Sequence, residues 1–147
     1  FTADDFARSH PAGALGRRLL LHITDVMHVG DDVPKVGPDA SISTALVEMS
    51  RKRLGMTAVV DADDHLLGLY TDGDLRRSLD DAGVDLRHTR IDAVMTRAPR
   101  TINADALAAE AAQLMEAYKI NALLVTNGQG QVVGALNIHD LLRARVV

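Results

Sequence analysis

The chain is written twice. Ile23-Thr24-Asp25-Val26-Met27 returns as Ile91-Asp92-Ala93-Val94-Met95. Leu67-Gly68-Leu69-Tyr70-Thr71-Asp72-Gly73-Asp74-Leu75 returns as Val133-Gly134-Ala135-Leu136-Asn137-Ile138-His139-Asp140-Leu141. The shift is 68 residues between Met27 and Met95 and 66 between Asp74 and Asp140. So steady an offset marks two copies of one structural unit, not two chance motifs. Two similar units in 147 residues are expected to pack together, and the clefts they share are the place to look for function.

Within each copy the pattern reads as strand, helix, strand, strand, helix. In the first, Pro34-Lys35-Val36 is a short extended piece, and Asp39 or Ser41 can cap the helix that follows. Ile42, Ala45, Leu46 and Met49 recur at helical spacing and make one buried stripe, which Gly55 ends. Met56 to Val60 and Leu66 to Thr71 read as strands joined by a turn at Asp61-Ala62-Asp63-Asp64, and Asp72 to Leu79 as the closing helix. In the second, Leu107, Ala111, Leu114 and Met115 form the stripe. Asn121 to Thr126 and Gln131 to Leu136 pair around Asn127-Gly128, and Ile138 to Arg143 closes.

A small sheet with one apolar face cannot bury that face alone, so the two units are expected to pack face to face. The fold class is α+β, two β-α-β-β-α repeats packed through their sheets with pseudo-two-fold symmetry. The expected organisation is a lead-in over residues 1–22, repeat one over 23–79, a polar linker over 80–90 and repeat two over 91–147. The first residue is Phe1, so the chain is expected to begin inside a longer protein.

Composition narrows the function classes. A chain this long buries roughly 70% of its unfolded surface and needs no disulfide or metal to fold. The absence of cysteine excludes thiolate metal sites and cysteine nucleophiles, and fits a reducing compartment. Acidic and basic residues are interspersed at net charge −4, which argues against a nucleic-acid partner. Aromatic residues make up only 3%, too few for base-stacking platforms. No apolar run approaches the ~20 residues of a membrane span, and no signal-peptide pattern is present.

Each repeat ends its last strand on a polar residue and places a carboxylate three residues later: Thr71 with Asp74, and Asn137 with Asp140. That spacing puts both at the first turn of a helix, where backbone N–H groups are free. Two readings stand side by side. The pair can form a capping box that only starts the helix. Alternatively, the carboxylate can take ribose hydroxyls while the helix start attracts phosphate.

Pro34-Lys35-Val36 and Pro99-Arg100-Thr101 fall in matching places at a shift of 65. A proline opening an edge strand either leaves carbonyls for a base edge or guards the edge from pairing. Arg76, Arg77, Arg143 and Arg145, just after the acidic positions, are candidate phosphate contacts or surface charges. Asp61, Asp63 and Asp64 read as a solvated turn, without the glycine and distal glutamate of a calcium loop. His22, His28, His65, His88 and His139 show no paired metal spacing. No phosphate loop, nucleophile elbow or Gly-x-Gly-x-x-Gly is present. His10, in the Ser9-His10-Pro11 turn of the lead-in, is the one candidate acid or base outside the repeats.

These residues resemble a tandem pair of cystathionine-β-synthase (CBS) domains, the regulatory Bateman module. The resemblance rests on the Val-Met opening of each unit and on the closes Gly68 to Asp74 and Gly134 to Asp140. It implies adenosine-nucleotide binding, with ribose on Asp74 and Thr71 in one cleft and on Asp140 in the other, where Asn137 replaces the usual Thr or Ser. Beside that resemblance, the lead-strand residues Pro34, Val36, Pro99 and Thr101 are the further ligand-binding candidates. The lead-in from Phe1 to Leu19 resembles the end of the sugar-isomerase (SIS) domain of bacterial D-arabinose 5-phosphate isomerases, with Ala12-Gly13 where that family has Gly-Gly. By that resemblance His10 is catalytic only in the full-length enzyme, which serves the route to the lipopolysaccharide sugar Kdo.

The resemblance implies a cytoplasmic module that binds a nucleotide (AMP or ATP) or a CMP-sugar, requires no cofactor and holds no metal. The chain itself would not be an enzyme. It would pair with a second copy and act on its own SIS domain, with no nucleic-acid or membrane partner. The alternatives are a purely structural oligomerisation module with empty clefts, and an activity within the chain based on His10.

Overall fold

The computed structural model describes residues 20–146. The reading of Thr2 to Leu19, including His10, lies outside the described residues. Two three-stranded sheets form, one per repeat. The first comprises β1 (Lys35–Val36), β2 (Met56–Val60) and β3 (Leu66–Thr71), with α1 (Ile42–Lys52) and α2 (Asp72–Leu79). The second comprises β4 (Thr101–Asn103), β5 (Ala122–Thr126) and β6 (Val132–Asn137), with α3 (Ala108–Tyr118) and α4 (Ile138–Arg143). In each sheet the short strand runs parallel to the central one, and the hairpin partner runs antiparallel to it. This is the α+β repeat expected from the sequence.

The central strands explain the layering. All five residues of β2 are buried, because both of its faces are covered. Met56, Ala58 and Val60 point one way and meet Leu124, Val132 and Ala135 of the other sheet. Val59 points the other way, onto Ile42, Ala45 and Met49 of α1. Alternation along an extended strand thus divides one apolar run between an inter-sheet core and a helix-side core. Leu124 against Leu123 and Val125 repeats the division in β5.

Two features were not anticipated. The opening motifs form short 3-10 turns, Ile23–Asp25 and Ile91–Ala93, and each docks on the opposite repeat. Ile23 is buried among Leu123, Leu136 and Leu141, whereas Ile91 and Met95 join Ile42, Val59 and Tyr70. The outer edges of β3 and β6 are covered the same way. Thr96 exchanges hydrogen bonds of 2.8 and 2.9 Å with Leu69, and His28 exchanges bonds of 2.8 and 3.0 Å with Ala135. The polar linker is also anchored. Leu86 and Thr89 carbonyls accept from Ser43 and Ile42 at the start of α1, and Val84 and Leu86 pack on the first core.

Tyr70 is fully buried; its hydroxyl donates to Ser78 Oγ at 2.9 Å, and Ser78 Oγ donates to the Asp74 carbonyl. Burial pushes the Tyr70 phenol above its ordinary value of 10.0. The folded state therefore favours the neutral phenol, and its contribution to stability is lost as pH rises through the folded pKa. In a Tyr118→Phe chain, where Tyr70 is the remaining tyrosine, an ultraviolet titration should show ionisation above that of free tyrosine, accompanied by loss of fold. Ionisation at the free value with the fold intact would refute this.

Candidate functional site

The two closing helices begin alike. Thr71 Oγ1 accepts from the Asp74 N–H, and Asp74 Oδ2 accepts from the Thr71 N–H at 3.0 Å and its hydroxyl at 3.2 Å. In the second repeat, Asn137 Oδ1 accepts from the Asp140 N–H at 3.1 Å while Asp140 Oδ2 accepts from the Asn137 N–H at 2.8 Å. Both are capping boxes.

Each acid is also held by the opposite repeat. Thr96, which follows Met95, donates to Asp74 Oδ1 at 2.9 Å. His28, which follows Met27, places Nε2 2.8 Å from Asp140 Oδ1. Arg77 and Arg143 complete the two sets by pairing with Asp74 and Asp140 from their exposed side chains.

The acids are therefore only 4% and 5% exposed, and largely occupied by donors of their own chain. An ionised carboxylate offers about four acceptor positions. Asp74 has all of them filled, and Asp140 has three. A ribose at Asp74 would have to displace a donor, whereas Asp140 keeps one position open; Arg77 and Arg143, 72% and 68% exposed at the side chain, are the donors that can swing into water.

Between the repeats lies a cavity of about 690 Å³. Thr71 and Asn137 line it together with the first residues of α2 and α4, namely Asp72, Gly73, Ile138 and His139. Arg53, Arg76, Arg100 and Lys119 also line it, against the single carboxylate of Asp72. Among the described residues none of these four cations has an ion-pair partner. Such a wall attracts an anion of nucleotide size.

Of the sequence candidates, Thr71, Asn137 and Pro99 line this cavity, and Asp74 and Asp140 sit beside it without lining it. The other candidates lie elsewhere. Val36 lines a separate cavity of about 420 Å³ beside Asp39, Asp61 and Asp64, a poor setting for phosphate. Pro34 is buried, and its carbonyl is already engaged in the sheet, accepting from the Ala58 N–H at 2.9 Å. Thr101 opens β4 and lines neither cavity.

The prolines are also not equivalent. Lys35 pairs with Ala58 and Thr101 with Leu124, the middle residues of β2 and β5. Arg100, rather than Pro99, therefore stands where repeat one has Pro34. Of the four flagged arginines, Arg76 lines the cavity, Arg77 and Arg143 hold the acids, and Arg145 does neither.

Arg53 and Lys119 were missed. They end α1 and α3 in the left-handed conformation, with φ of 60° and 53°. The repeat held a signal for them: both are basic residues at a shift of 66, each just after the last helical turn. Asp61, Asp63 and His65 do bring ligand atoms within 4.8 Å of one another. Asp61 Oδ1, however, accepts from the N–H groups of Asp63 and His65 at 2.9 Å, as a hairpin turn requires.

The comparisons agree with this architecture. A family model described as the CBS domain matches residues 23–81 and 91–147. The arabinose 5-phosphate isomerase KdsD of Pseudomonas aeruginosa is 57% identical over 147 residues, covering 100% of this chain and 45% of that protein. The same enzyme of Escherichia coli K12 is 49% identical over 100% of this chain and 44% of its own length. The chain thus spans less than half the length of these curated relatives. Among solved structures, CBSX2 in complex with AMP superposes with a TM-score of 0.74 at 23% identity, covering 86% of this chain and 96% of that one. The CBS domain pair of MJ0100, in complex with 5′-methylthioadenosine and S-adenosyl-L-methionine, gives 0.72 at 22% identity over 83% and 93%. At such identities the likeness concerns the fold.

Proposed function

The chain belongs to the CBS domain family, and from that premise we propose that it is the regulatory, ligand-binding and dimerisation module of an arabinose 5-phosphate isomerase of Kdo and lipopolysaccharide biosynthesis. Residues 1–22 are then the end of the catalytic domain, with His10 part of that domain's site, and the module works in the cytoplasm. In keeping with this, no described helix is long and apolar enough to cross a membrane. Exposed Val47, Leu79 and Leu142 on α1, α2 and α4 are the surface a second copy would cover.

The observation that carries the reading is the cavity between the repeats, walled by four cations and one carboxylate. AMP or ATP fits such a wall, as does a CMP-sugar such as CMP-Kdo, which joins a ribose phosphate to a sugar acid. That structural neighbours hold AMP or S-adenosyl-L-methionine supports the class of ligand. Control follows by linkage: a ligand that binds one arrangement of the two repeats more tightly biases the attached domain, and only that difference in affinity does so.

A melting screen of AMP, ATP, CMP and CMP-Kdo tests this. At a hundredfold excess over its Kd, a true ligand adds about 2.7 kcal/mol, a rise on the order of 10 °C. One observation favours a second reading, a scaffold with empty clefts: the Asp74 carboxylate is already saturated by its own chain. No shift with any of the four compounds would establish that reading instead.

A further inference from the structure

Two-fold repetition would line the cavity equally from both repeats, and among the described residues the lining is unequal. Near the pseudo-dyad the cavity is symmetric, lined by Arg53 with Lys119 and by Thr71 with Asn137. Beyond these pairs it extends in one direction only, toward Arg76, Thr96, Pro99 and Arg100. Their counterparts at the repeat shift are Leu142, His28, Val33 and Pro34. Val33 and Pro34 are buried, and His28 is drawn onto Asp140. None of the four lines the cavity.

The cause is legible in the chain. From His28 to Lys35 there are two more residues than from Thr96 to Thr101, the matching stretch. The additional length forms the 3-10 turn Gly30–Asp32, and Lys52 Nζ donates to the Asp31 carbonyl. Tyr118 occupies the position of Lys52 at the end of its helix, and its ring carries Arg100, with the guanidinium carbon 3.8 Å from the ring centroid. An aromatic face holds a guanidinium in place without neutralising it, so its planar donors stay available to an oxyanion. Lys35, the cation of the first lead strand, is instead spent on Asp64 at 3.4 Å.

We infer that the groove is a one-sided site: each chain takes one phosphate-bearing ligand, Arg100 binds its phosphate, and Tyr118 is a positioning residue that acts through Arg100. This rests on the ligand-binding reading above and adds its stoichiometry and its anion seat.

Calorimetric titrations of AMP, CMP and inorganic pyrophosphate into the 147-residue chain and its variants test it. The expected result is one equivalent per chain, about tenfold weaker binding or worse in Arg100→Gln, and a several-fold loss in Tyr118→Leu. Tyr118→Phe, which keeps the ring, should restore affinity, a rescue that a merely structural tyrosine would not show; Lys35→Gln should leave binding unchanged. Two equivalents per chain, or a nucleotide bound equally well by Arg100→Gln, would overturn the inference while leaving the ligand-binding reading intact. Pyrophosphate bound through Arg100 with neither nucleotide bound would uphold the anion seat and refute the nucleotide. Binding of none of the three would refute the anion seat, while the ligand-binding reading would still stand or fall on the four-compound melting screen.

Discussion

Replacing Gly68 with alanine should cost the fold about 2–3 kcal/mol, far more than a methyl group on a strand normally does. A Cβ built there would lie 2.4 Å from Met95 Sδ, 2.8 Å from Met95 Cγ and 2.9 Å from the Thr96 carbonyl oxygen. The first two contacts can be relieved by turning a methionine, although Met95 is itself only 9% exposed and packed in the first core. The third cannot, because Thr96 is fixed by its paired hydrogen bonds to Leu69. The added methyl therefore pushes the borrowed segment of repeat two off the edge of β3, and with it the hydroxyl that reaches Asp74.

Gly134→Ala should cost less, because its nearest backbone neighbour, the His28 carbonyl, stands 3.1 Å away. Urea unfolding of both variants measures the difference. A Gly68→Ala/Met95→Ala double variant should lose less than the sum of its parts, since the two residues compete for one space. A Gly68→Ala chain within about 0.5 kcal/mol of the parent would refute the close approach as a determinant of the fold.

Asp74→Ala should act on stability before it acts on any ligand. The substitution removes the acceptor for the Thr71 N–H and hydroxyl, so α2 keeps the Thr71 cap on the backbone N–H but loses the reciprocal half of its capping box, and it removes the bond to Thr96 that ties the repeats together. The half-lost capping box, with its unpaired Thr71 N–H, and the lost inter-repeat hydrogen bond together amount to about 2–3 kcal/mol. Thr96→Val, which deletes only the inter-repeat bond, should cost about 1 kcal/mol. In the folded Asp74→Ala chain, a ribose-bearing ligand should bind about tenfold to a hundredfold more weakly if the carboxylate also takes ribose hydroxyls. Stability lost with affinity unchanged would assign Asp74 wholly to capping; unchanged stability would contradict the hydrogen bonds described above. Arg77→Ala separates the roles further. It frees one of the two positions on Asp74 Oδ1, the other staying with Thr96, at little cost to the fold, and should strengthen a ribose ligand.

The strands, helices and capping boxes were legible because each is a local matter. Met56 to Val60 and Leu66 to Thr71 announce themselves by β-branched and alternating residues around a turn. Thr71 with Asp74 and Asn137 with Asp140 announce the start of a helix by their spacing alone. The site was legible only in part. Thr71, Asn137 and Pro99 line the cavity, but Val36 belongs to another, and Arg53 and Lys119 enter it from helix ends that local patterns did not flag. Pro34 and Pro99 look equivalent in sequence and are not, because strand register is set by pairing with β2 and β5 across the loop difference.

The sequence by itself determined that one unit is built twice, what that unit contains, and that each copy closes on a carboxylate at a helix start. It did so because periodicity, turn chemistry and caps depend on residues a few positions apart. Only the tertiary structure decided that each opening motif is packed into the other repeat, that the carboxylates are turned inward onto Thr96 and His28, and that the groove opens on one side. Those outcomes depend on which surfaces lie within a few ångströms once the sheets have closed, and two additional residues before Lys35 were enough to make nearly equal halves unequal.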